Sequence, residues 1–153
     1  MGLPELSYLL DTNILLRLSK RESPEFSTIR AALRSLAQKN ARLCYTPQNL
    51  IEFWNVATRP LDRNGFGLST HEVNEAASRI EKAFILLPDR AEIHYEWRRL
   101  VVFLGIAGTQ VHDAHIIAAM IVHKVQHILT FNDRDFQRYS GIVVVHPTNV
   151  PVQ

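Results

Sequence analysis

The sequence has little cysteine and no long apolar run, and both absences narrow the class of protein. A single cysteine, Cys44, excludes an internal disulfide framework and suits the reducing cytoplasm. No apolar run approaches the roughly 18 residues of a transmembrane helix, so we expect no membrane span. Residues 1–5 lack the basic start and apolar stretch of a secretory signal. These absences together predict a cytoplasmic protein.

A strong charge of one sign is also absent. The formal net charge is +2, and the lysines and arginines are scattered singly or in pairs. This charge is compatible with a nucleic-acid substrate, but a strong phosphate-binding surface would show as a clustered basic segment. Composition alone therefore does not decide the function.

What the sequence does contain is an alternation of short apolar runs and longer helical patterns. This alternation is typical of βαβ units around a parallel sheet, so we predict an α/β fold. Neither a repeat nor a linker divides the 153 residues, and residues 1–153 are predicted to form one domain. The predicted strands are residues 7–10, 43–45, 83–87, 127–130 and 142–145. The predicted helices are residues 24–39, 47–58, 70–82, 91–104 and 111–124.

Local signals mark where some of these elements begin and end. Ser23 and Thr46 each precede a proline, which is the pattern of an N-cap followed by proline in the first helical turn. The segment 59–67 is rich in proline, asparagine and glycine and predicts an exposed loop. Its Gly-Phe-Gly lacks the third glycine of a phosphate-binding loop.

Open α/β sheets place their functional residues at the carboxyl ends of the strands. Asp11 directly follows the first predicted strand, although an aspartate alone is also a common helix cap. Glu52 lies on the helix after the second strand, in a polar stripe with Gln48 and Asn55. A solvated helix face would explain that stripe equally well.

Asp113 is the most informative acid. It opens an apolar helix and shares a face with Ile116, Ile117 and Met120. A favourable interaction with the helix dipole explains an acid in the first turn but not one aligned with the core. Because a buried, unpaired carboxylate is costly, function is the better explanation for Asp113. The nearby histidines 112 and 115 are interpreted as a surface pair.

A fourth group of polar residues, Asn132, Asp133 and Asp135, follows the strand predicted at 127–130. A turn and a helix start would account for each of them separately. Together with Asp11 and Asp113, however, they should gather at one edge of the sheet. Like charges so close together raise one another's pKa unless a cation is present, and a hard divalent ion such as Mg²⁺ suits oxygen ligands. Such an ion can polarise a phosphodiester and activate water, so the sequence predicts phosphodiester hydrolysis.

Other chemistries fit less well. His71-Glu72 is not followed by the second histidine of a zinc peptidase, and one cysteine cannot build a structural zinc site. A haloacid-dehalogenase-type phosphatase needs an aspartate two positions after the first, where Asn13 stands. A receiver-like signalling domain would need an acidic pair at the end of another strand to join Asp11.

Four segments of the sequence, residues 10–13, 47–53, 112–119 and 129–136, resemble those of the PIN-domain nucleases. They are especially similar to the VapC toxins of bacterial toxin–antitoxin pairs. The resemblance implies a three-layer α/β/α sandwich with a mostly parallel sheet and an endoribonuclease dependent on Mg²⁺ or Mn²⁺. It also implies a homodimer inhibited by a cognate antitoxin. A PIN-fold module without nuclease activity, which binds RNA or a protein, is the alternative.

Carried over by position, the resemblance assigns a role to each candidate residue. Asp11 and Asp113 would bind the metal directly, Glu52 would complete the triad, and Asp135 would be the fourth acid. The supporting residues would be Thr12 and Asn13 beside the first aspartate, and Asn132 and Asp133 around the fourth acid. The candidates to contact RNA phosphates are Arg17, Arg59, Arg63 and Arg134, although a solvated surface position would better explain any one of them taken singly.

Overall fold

The computed structural model describes residues 6–152, so the residues on which the expectation about a secretory signal rests, 1–5, lie outside it. A five-stranded sheet forms its centre. The strands are Ser7–Leu10 (β1), Arg42–Tyr45 (β2), Ile85–Leu86 (β3), His127–Leu129 (β4) and Val143–Val145 (β5). Their order is β3-β2-β1-β4-β5, and every neighbouring pair is parallel.

Within residues 6–152, six helices and three short 3-10 turns surround the sheet. The helices are Thr12–Leu18 (α1), Phe26–Gln38 (α2), Pro47–Thr58 (α3), Thr70–Ala83 (α4), Ala91–Leu104 (α5) and Gln110–His123 (α6). The 3-10 turns are Leu61–Arg63, Asp133–Phe136 and Pro147–Asn149. None of the helices within residues 6–152 is long and apolar enough to cross a membrane.

Two hydrophobic cores lie on opposite faces of the sheet. Tyr8 and Leu10 of β1 pack in a core with buried residues of α1 to α4, whereas Leu9 packs in a core with α5 and α6. The alternation follows from the two-residue period of a strand, which points successive side chains to opposite faces. The predicted α/β/α sandwich with a parallel sheet is therefore confirmed.

The boundaries of the elements test the local signals. α3 and α5 begin and end as predicted, and Thr46 caps α3 by accepting a hydrogen bond from the Asn49 N–H. The prediction for Ser23 is wrong, because α2 begins only at Phe26. The Ser23 hydroxyl instead donates to the carboxylate of Glu25 at 2.6 Å. The third strand is shorter than predicted because α4 continues through Ala83.

The segment 59–67 is exposed over residues 61–64, as predicted, but its second half is tied to α3. The N–H of Phe66 donates to the Val56 carbonyl, and the N–H of Gly67 donates to the Arg59 carbonyl. Gly65 is buried so tightly that a Cβ there would lie 2.0 Å from the Arg59 carbonyl oxygen. Only glycine fits at this position without moving the backbone.

The sheet order creates a crevice at the carboxyl ends of β1 and β4. The chain runs from β1 outward to β2 and β3, and later returns to the other side of β1 as β4. Such a reversal is where open α/β sheets place their binding sites. The Asp11 N–H donates to the Leu129 carbonyl at 3.0 Å, so the residues that follow both strands are held side by side.

Candidate active site

Asp11 lies at the end of β1, caps α1 and is almost completely buried. Its Oδ1 accepts the Thr12 N–H at 2.8 Å, and its Oδ2 accepts the Thr130 hydroxyl at 2.7 Å and the Asn13 amide at 3.3 Å. Burial raises the pKa of the Asp11 carboxyl, and the charges of Glu52 and Asp135 raise it further. The hydrogen bonds from Thr130 and Thr12 act in the opposite direction. A helix cap alone therefore does not account for this residue, since two other acids act on it.

Thr130 joins the end of β4 to Asp11. Its hydroxyl is fully buried, donates to Asp11, and accepts hydrogen bonds from the Asn13 amide at 3.3 Å and the Asn132 N–H at 2.9 Å. The side-chain amide oxygen (Oδ1) of Asn13 in turn accepts the Phe131 N–H at 3.3 Å. The sequence analysis did not select Thr130, although a threonine directly after a strand, close to three polar residues, was a usable signal.

Hydrogen bonds from α1 and α3 turn Glu52 toward the edge of the sheet where Asp11 lies. Its Oε2 accepts the Thr12 hydroxyl and its Oε1 accepts the Gln48 amide, both at 2.8 Å. The Thr12 hydroxyl also accepts the amide of the fully buried Asn49, at 3.2 Å. Thr12 thus holds Asp11 through its backbone N–H and Glu52 through its side chain. A simple solvated stripe does not describe this side of α3.

Asn49 is a second positioning residue that the sequence analysis did not select. Its side-chain oxygen Oδ1 accepts both the Thr46 N–H and the Thr46 hydroxyl at 2.9 Å. The side-chain nitrogen Nδ2 is thereby left to donate to the Thr12 hydroxyl. The end of β2, the start of α3 and the start of α1 are therefore linked through one buried side chain. The available signal was an asparagine three residues after the Thr46 cap.

Asp113 lies in the first turn of α6 and is half-buried. Burial raises the pKa of Asp113 to about 6, with further contributions from the charges of Asp11, Asp135 and Glu52. His112 acts in the opposite direction. Four carboxylates from β1, α3, α6 and the turn after β4 are thus close enough to affect one another. Within residues 6–152 no hydrogen bond holds the carboxylate of Asp113 or of Asp135, so both are less restrained than those of Asp11 and Glu52.

The raised pKa of Asp113 predicts how the stability of the metal-free protein depends on pH. A carboxyl whose pKa is higher in the folded than in the unfolded chain binds more protons when folded between the two values. The free energy of unfolding should therefore rise as pH falls from 7 to 5, by about 1 kcal/mol from this residue. Urea unfolding at pH 7 and at pH 5, in the presence of a chelator, measures this change in the free energy of unfolding. Asp113→Asn should lack this part of the dependence, and an identical pH slope in both proteins would contradict the expectation.

Asp135 is carried on the 3-10 turn after β4, and its charge raises the pKa of both Asp11 and Asp113. The turn is held in place by its own backbone, since the Asp135 N–H donates to the Asn132 carbonyl at 3.1 Å. The Asn132 N–H donates to Thr130. Asp133, at the start of the turn, is partly buried.

The four candidate arginines have different surroundings. Arg17 pairs with Glu25, with 3.7 Å between its Nε and the carboxylate, and its guanidinium lies 5.1 Å from the centre of the Phe131 ring and 3.5 Å from the Asn13 backbone carbonyl. Arg134 is exposed on the turn that carries Asp135. The other two belong to the loop after α3: the Arg59 guanidinium donates to the Asn64 carbonyl at 3.3 Å, and Arg63 is exposed.

His115 corrects one interpretation of the sequence. It is half-buried, and its Nδ1 lies 2.6 Å from the Oε1 of Gln48, so it is not half of a surface pair. Burial lowers the pKa of His115, which favours the neutral imidazole. Of the two histidines interpreted as a surface pair, His112 is exposed as predicted.

The cluster has the donor chemistry of a site for a hard divalent cation, because it offers carboxylate oxygens and concentrated negative charge. Within residues 6–152, no group of three His, Cys, Asp or Glu side chains is already placed to hold a metal ion. Hydrogen bonds engage both oxygens of Asp11 and of Glu52. The negative charge of the cluster therefore fits a cation, while the carboxylates of Asp11 and Glu52 are engaged by hydrogen-bond donors of the protein itself.

Comparison with known proteins identifies the family. A sequence model of the PIN domain matches residues 8–142. No curated protein matches the chain. Among solved structures, a chain of VapBC-1 from nontypeable Haemophilus influenzae is 19% identical with a TM-score of 0.70, over 94% of this chain and 99% of that chain. A chain of VapBC2 from Rickettsia felis, bound to a promoter DNA fragment, is 16% identical with a TM-score of 0.69, over 92% and 98%.

A third structural match is VapC20 from Mycobacterium tuberculosis, a toxin that cleaves the sarcin–ricin loop. It is 18% identical with a TM-score of 0.60, over 84% of this chain and 92% of that chain. Identities this low show a shared fold and leave the activity of this chain to its own residues. The match to the PIN sequence model spans most of the chain and confirms the resemblance found in its motifs. This chain belongs to the PIN domain family.

Proposed function

We propose that this protein is an endoribonuclease that hydrolyses RNA phosphodiester bonds with a bound divalent cation and acts as the toxin of a toxin–antitoxin pair. The observation that carries the proposal is the convergence of four carboxylates: the charges of Asp11, Asp135 and Glu52 add to burial, which raises the pKa of Asp113 to about 6. Acids that destabilise one another in this way are explained by a cation that binds them. The VapC-like fold supports the same function.

Each carboxylate has a distinct part in the proposal. Asp11 and Asp113 bind the cation directly, Glu52 completes the triad, and Asp135 is the fourth acid. A bound divalent cation polarises the phosphodiester and lowers the pKa of water, and Mg²⁺ is the first choice, with Mn²⁺ as the second. Hydrolysis adds water across a P–O bond, so one product ends in a phosphate and the other in a hydroxyl.

The protein's own residues position the acids and the substrate. Thr130 and Asn13 hold Asp11, and Thr12 and Gln48 hold Glu52. The proposed phosphate contacts come first from Arg134, which lies on the same turn as Asp135, and from Arg17, whose guanidinium packs against Phe131 and bonds to the Asn13 backbone carbonyl. Arg59 and Arg63 would contact RNA phosphates farther from the cleaved bond. Unpaired RNA is the expected substrate because splayed bases allow the backbone to enter such a crevice.

The proposed partners follow from the structural neighbours, which include VapBC and FitAB complexes. We infer that a cognate antitoxin binds and inhibits this protein in the cytoplasm. A homodimer is also proposed, since Tyr95, Val102 and Phe103 leave large apolar side chains exposed on α5. Light scattering tests the dimer, and the growth of a host that expresses the chain alone tests toxicity.

The test of the proposed function is RNA cleavage by the purified protein with Mg²⁺ and with an excess of chelator. We expect cleavage with Mg²⁺, its loss in the chelator, and its return when Mg²⁺ is restored. Cleavage that persists in the chelator would remove the cation from the proposal. If RNA remains intact in Mg²⁺ and in Mn²⁺ but still binds, the protein is the nuclease-inactive PIN-fold module instead.

A further inference from the structure

A cleft of about 410 Å³ opens next to the carboxylates, between the start of α3 and helices α5 and α6. Its size falls within the range of roughly 300–1,000 Å³ typical of small-ligand sites. The lining residues used below are Gln48, Ile51, Asp89, His94, Trp97 and His115. None of the roles proposed above uses this cleft as a binding site.

Gln48 connects the cleft to the acidic cluster and fixes the chemistry of one wall. Its amide nitrogen donates to Oε1 of Glu52 at 2.8 Å and to the His112 carbonyl at 2.9 Å. Because both of these atoms only accept, the amide nitrogen must face them and Oε1 must face His115. Whatever binds in the cleft is therefore one side chain away from the proposed reaction centre.

The same hydrogen bond determines which nitrogen of His115 carries the proton. The Gln48 Oε1 can only accept, so Nδ1 of His115, at 2.6 Å, must be the N–H. In the neutral imidazole Nε2 is then an acceptor. Within residues 6–152 no hydrogen bond engages Nε2, and Asp89 adds a carboxylate acceptor to the same cleft.

The remaining walls offer flat or apolar surfaces. The Trp97 indole is fixed by its N–H, which donates to the Val111 carbonyl at 2.8 Å. The His94 ring lies 6.2 Å from it, and Ile51 is 69% exposed at the rim. Aromatic side chains and hydrogen-bond acceptors together are what proteins use to bind unstacked bases of RNA.

We propose that this cleft binds the unpaired nucleobase next to the cleaved phosphate, and that Asp89 and Nε2 of His115 accept hydrogen bonds from its N–H groups. Guanine fits best, because it presents a ring N–H and an amino group side by side on one edge. Uracil has a single N–H between two carbonyls. The inference rests on the proposed function, since it names the part of the RNA that the active site reads.

Binding is measured separately from cleavage, by fluorescence anisotropy in Mg²⁺ with the Asp113→Asn protein so that the RNA stays intact. The probes are two labelled single-stranded pentanucleotides, all uridine or with one guanosine at the centre. We expect the guanosine probe to bind about tenfold more tightly. Asp89→Asn, at an exposed position, should remove this preference. Glu92→Gln, an exposed acid on α5 that does not line the cleft, is the matched control for the loss of one charge and should keep it. His94→Ala should weaken the binding of both probes, because its ring is a stacking surface for either base.

The outcomes separate this inference from the proposed function. Equal affinity for both probes, or an unchanged preference in Asp89→Asn, overturns the nucleobase site. Unchanged affinity of His94→Ala for both probes also overturns it, because the ring would then not stack on a base. A guanosine preference that Asp89→Asn removes, in a protein that never cleaves RNA, upholds the cleft and overturns the endoribonuclease. Absence of binding to either probe overturns both.

Discussion

Asp113→Asn is expected to lower the rate of RNA cleavage by about 1,000-fold or more while the protein stays folded. The Asp113 carboxylate is not engaged by a hydrogen bond within residues 6–152 and is proposed to bind the cation directly, so its loss removes a ligand and a charge. A thousandfold loss corresponds to about 4 kcal/mol of transition-state stabilisation, which is within the range of metal-ion catalysis. Single-turnover cleavage in saturating Mg²⁺ measures the effect.

The folded state of this variant is checked in the absence of metal. Because the Asp113 charge is opposed by burial and by three other carboxylates, its removal should raise the free energy of unfolding at pH 7.5 by roughly 1–3 kcal/mol. Urea unfolding in a chelator gives this number. A variant that cleaves at the wild-type rate would take Asp113 out of the site. A variant that is unfolded would contradict the electrostatic argument.

Asp135→Asn should lower cleavage by about 100-fold, whereas Asp133→Asn on the same turn should change it by less than about threefold. Asp135 is exposed, but its charge raises the pKa of both Asp11 and Asp113, so it lies within electrostatic range of the cluster. The loss of one of four like charges weakens the attraction for the cation and also lowers the pKa of Asp113. Each variant removes one negative charge from the same turn, so each serves as a control for the other.

The measurement is cleavage as a function of Mg²⁺ concentration for both variants. Asp135→Asn should need more Mg²⁺ for half-maximal rate, because the charge that helps to hold the ion is gone. Asp133→Asn should follow the wild-type curve. If Asp133→Asn shows the larger loss, the fourth acid has been assigned to the wrong residue of the turn. If neither variant changes the rate or the Mg²⁺ requirement, the site is a triad.

Much of the fold follows from local patterns in the chain. The Thr46 cap sets the start of α3, and α5 ends where Gly105 adopts the left-handed conformation. The local signal failed at Ser23, where the hydroxyl bonds to the nearby Glu25 instead of capping α2. The assignment of residues 1–153 to a single domain stays a prediction.

The residues of the candidate site likewise fall into those that the sequence identified and those that it did not. Asp11 and Asp113 stand out in the sequence because an acid follows an apolar strand or joins an apolar helix face. Thr130, Asn49 and His115 do not, because their roles arise from partners far along the chain. Thr130 meets Asp11, Asn49 meets Thr12, and His115 meets Gln48 only once the strands are in order.

The sequence by itself determined the α/β class, the approximate positions of most elements and the identity of the acids, since periodicity and capping are properties of neighbouring residues. Tertiary structure alone decided which acids act on one another, which side chains hold them and what the cleft beside Gln48 presents. The physical reason is distance: electrostatic effects and hydrogen bonds fall off within a few ångströms, and only the parallel order β2-β1-β4 brings these residues within that range.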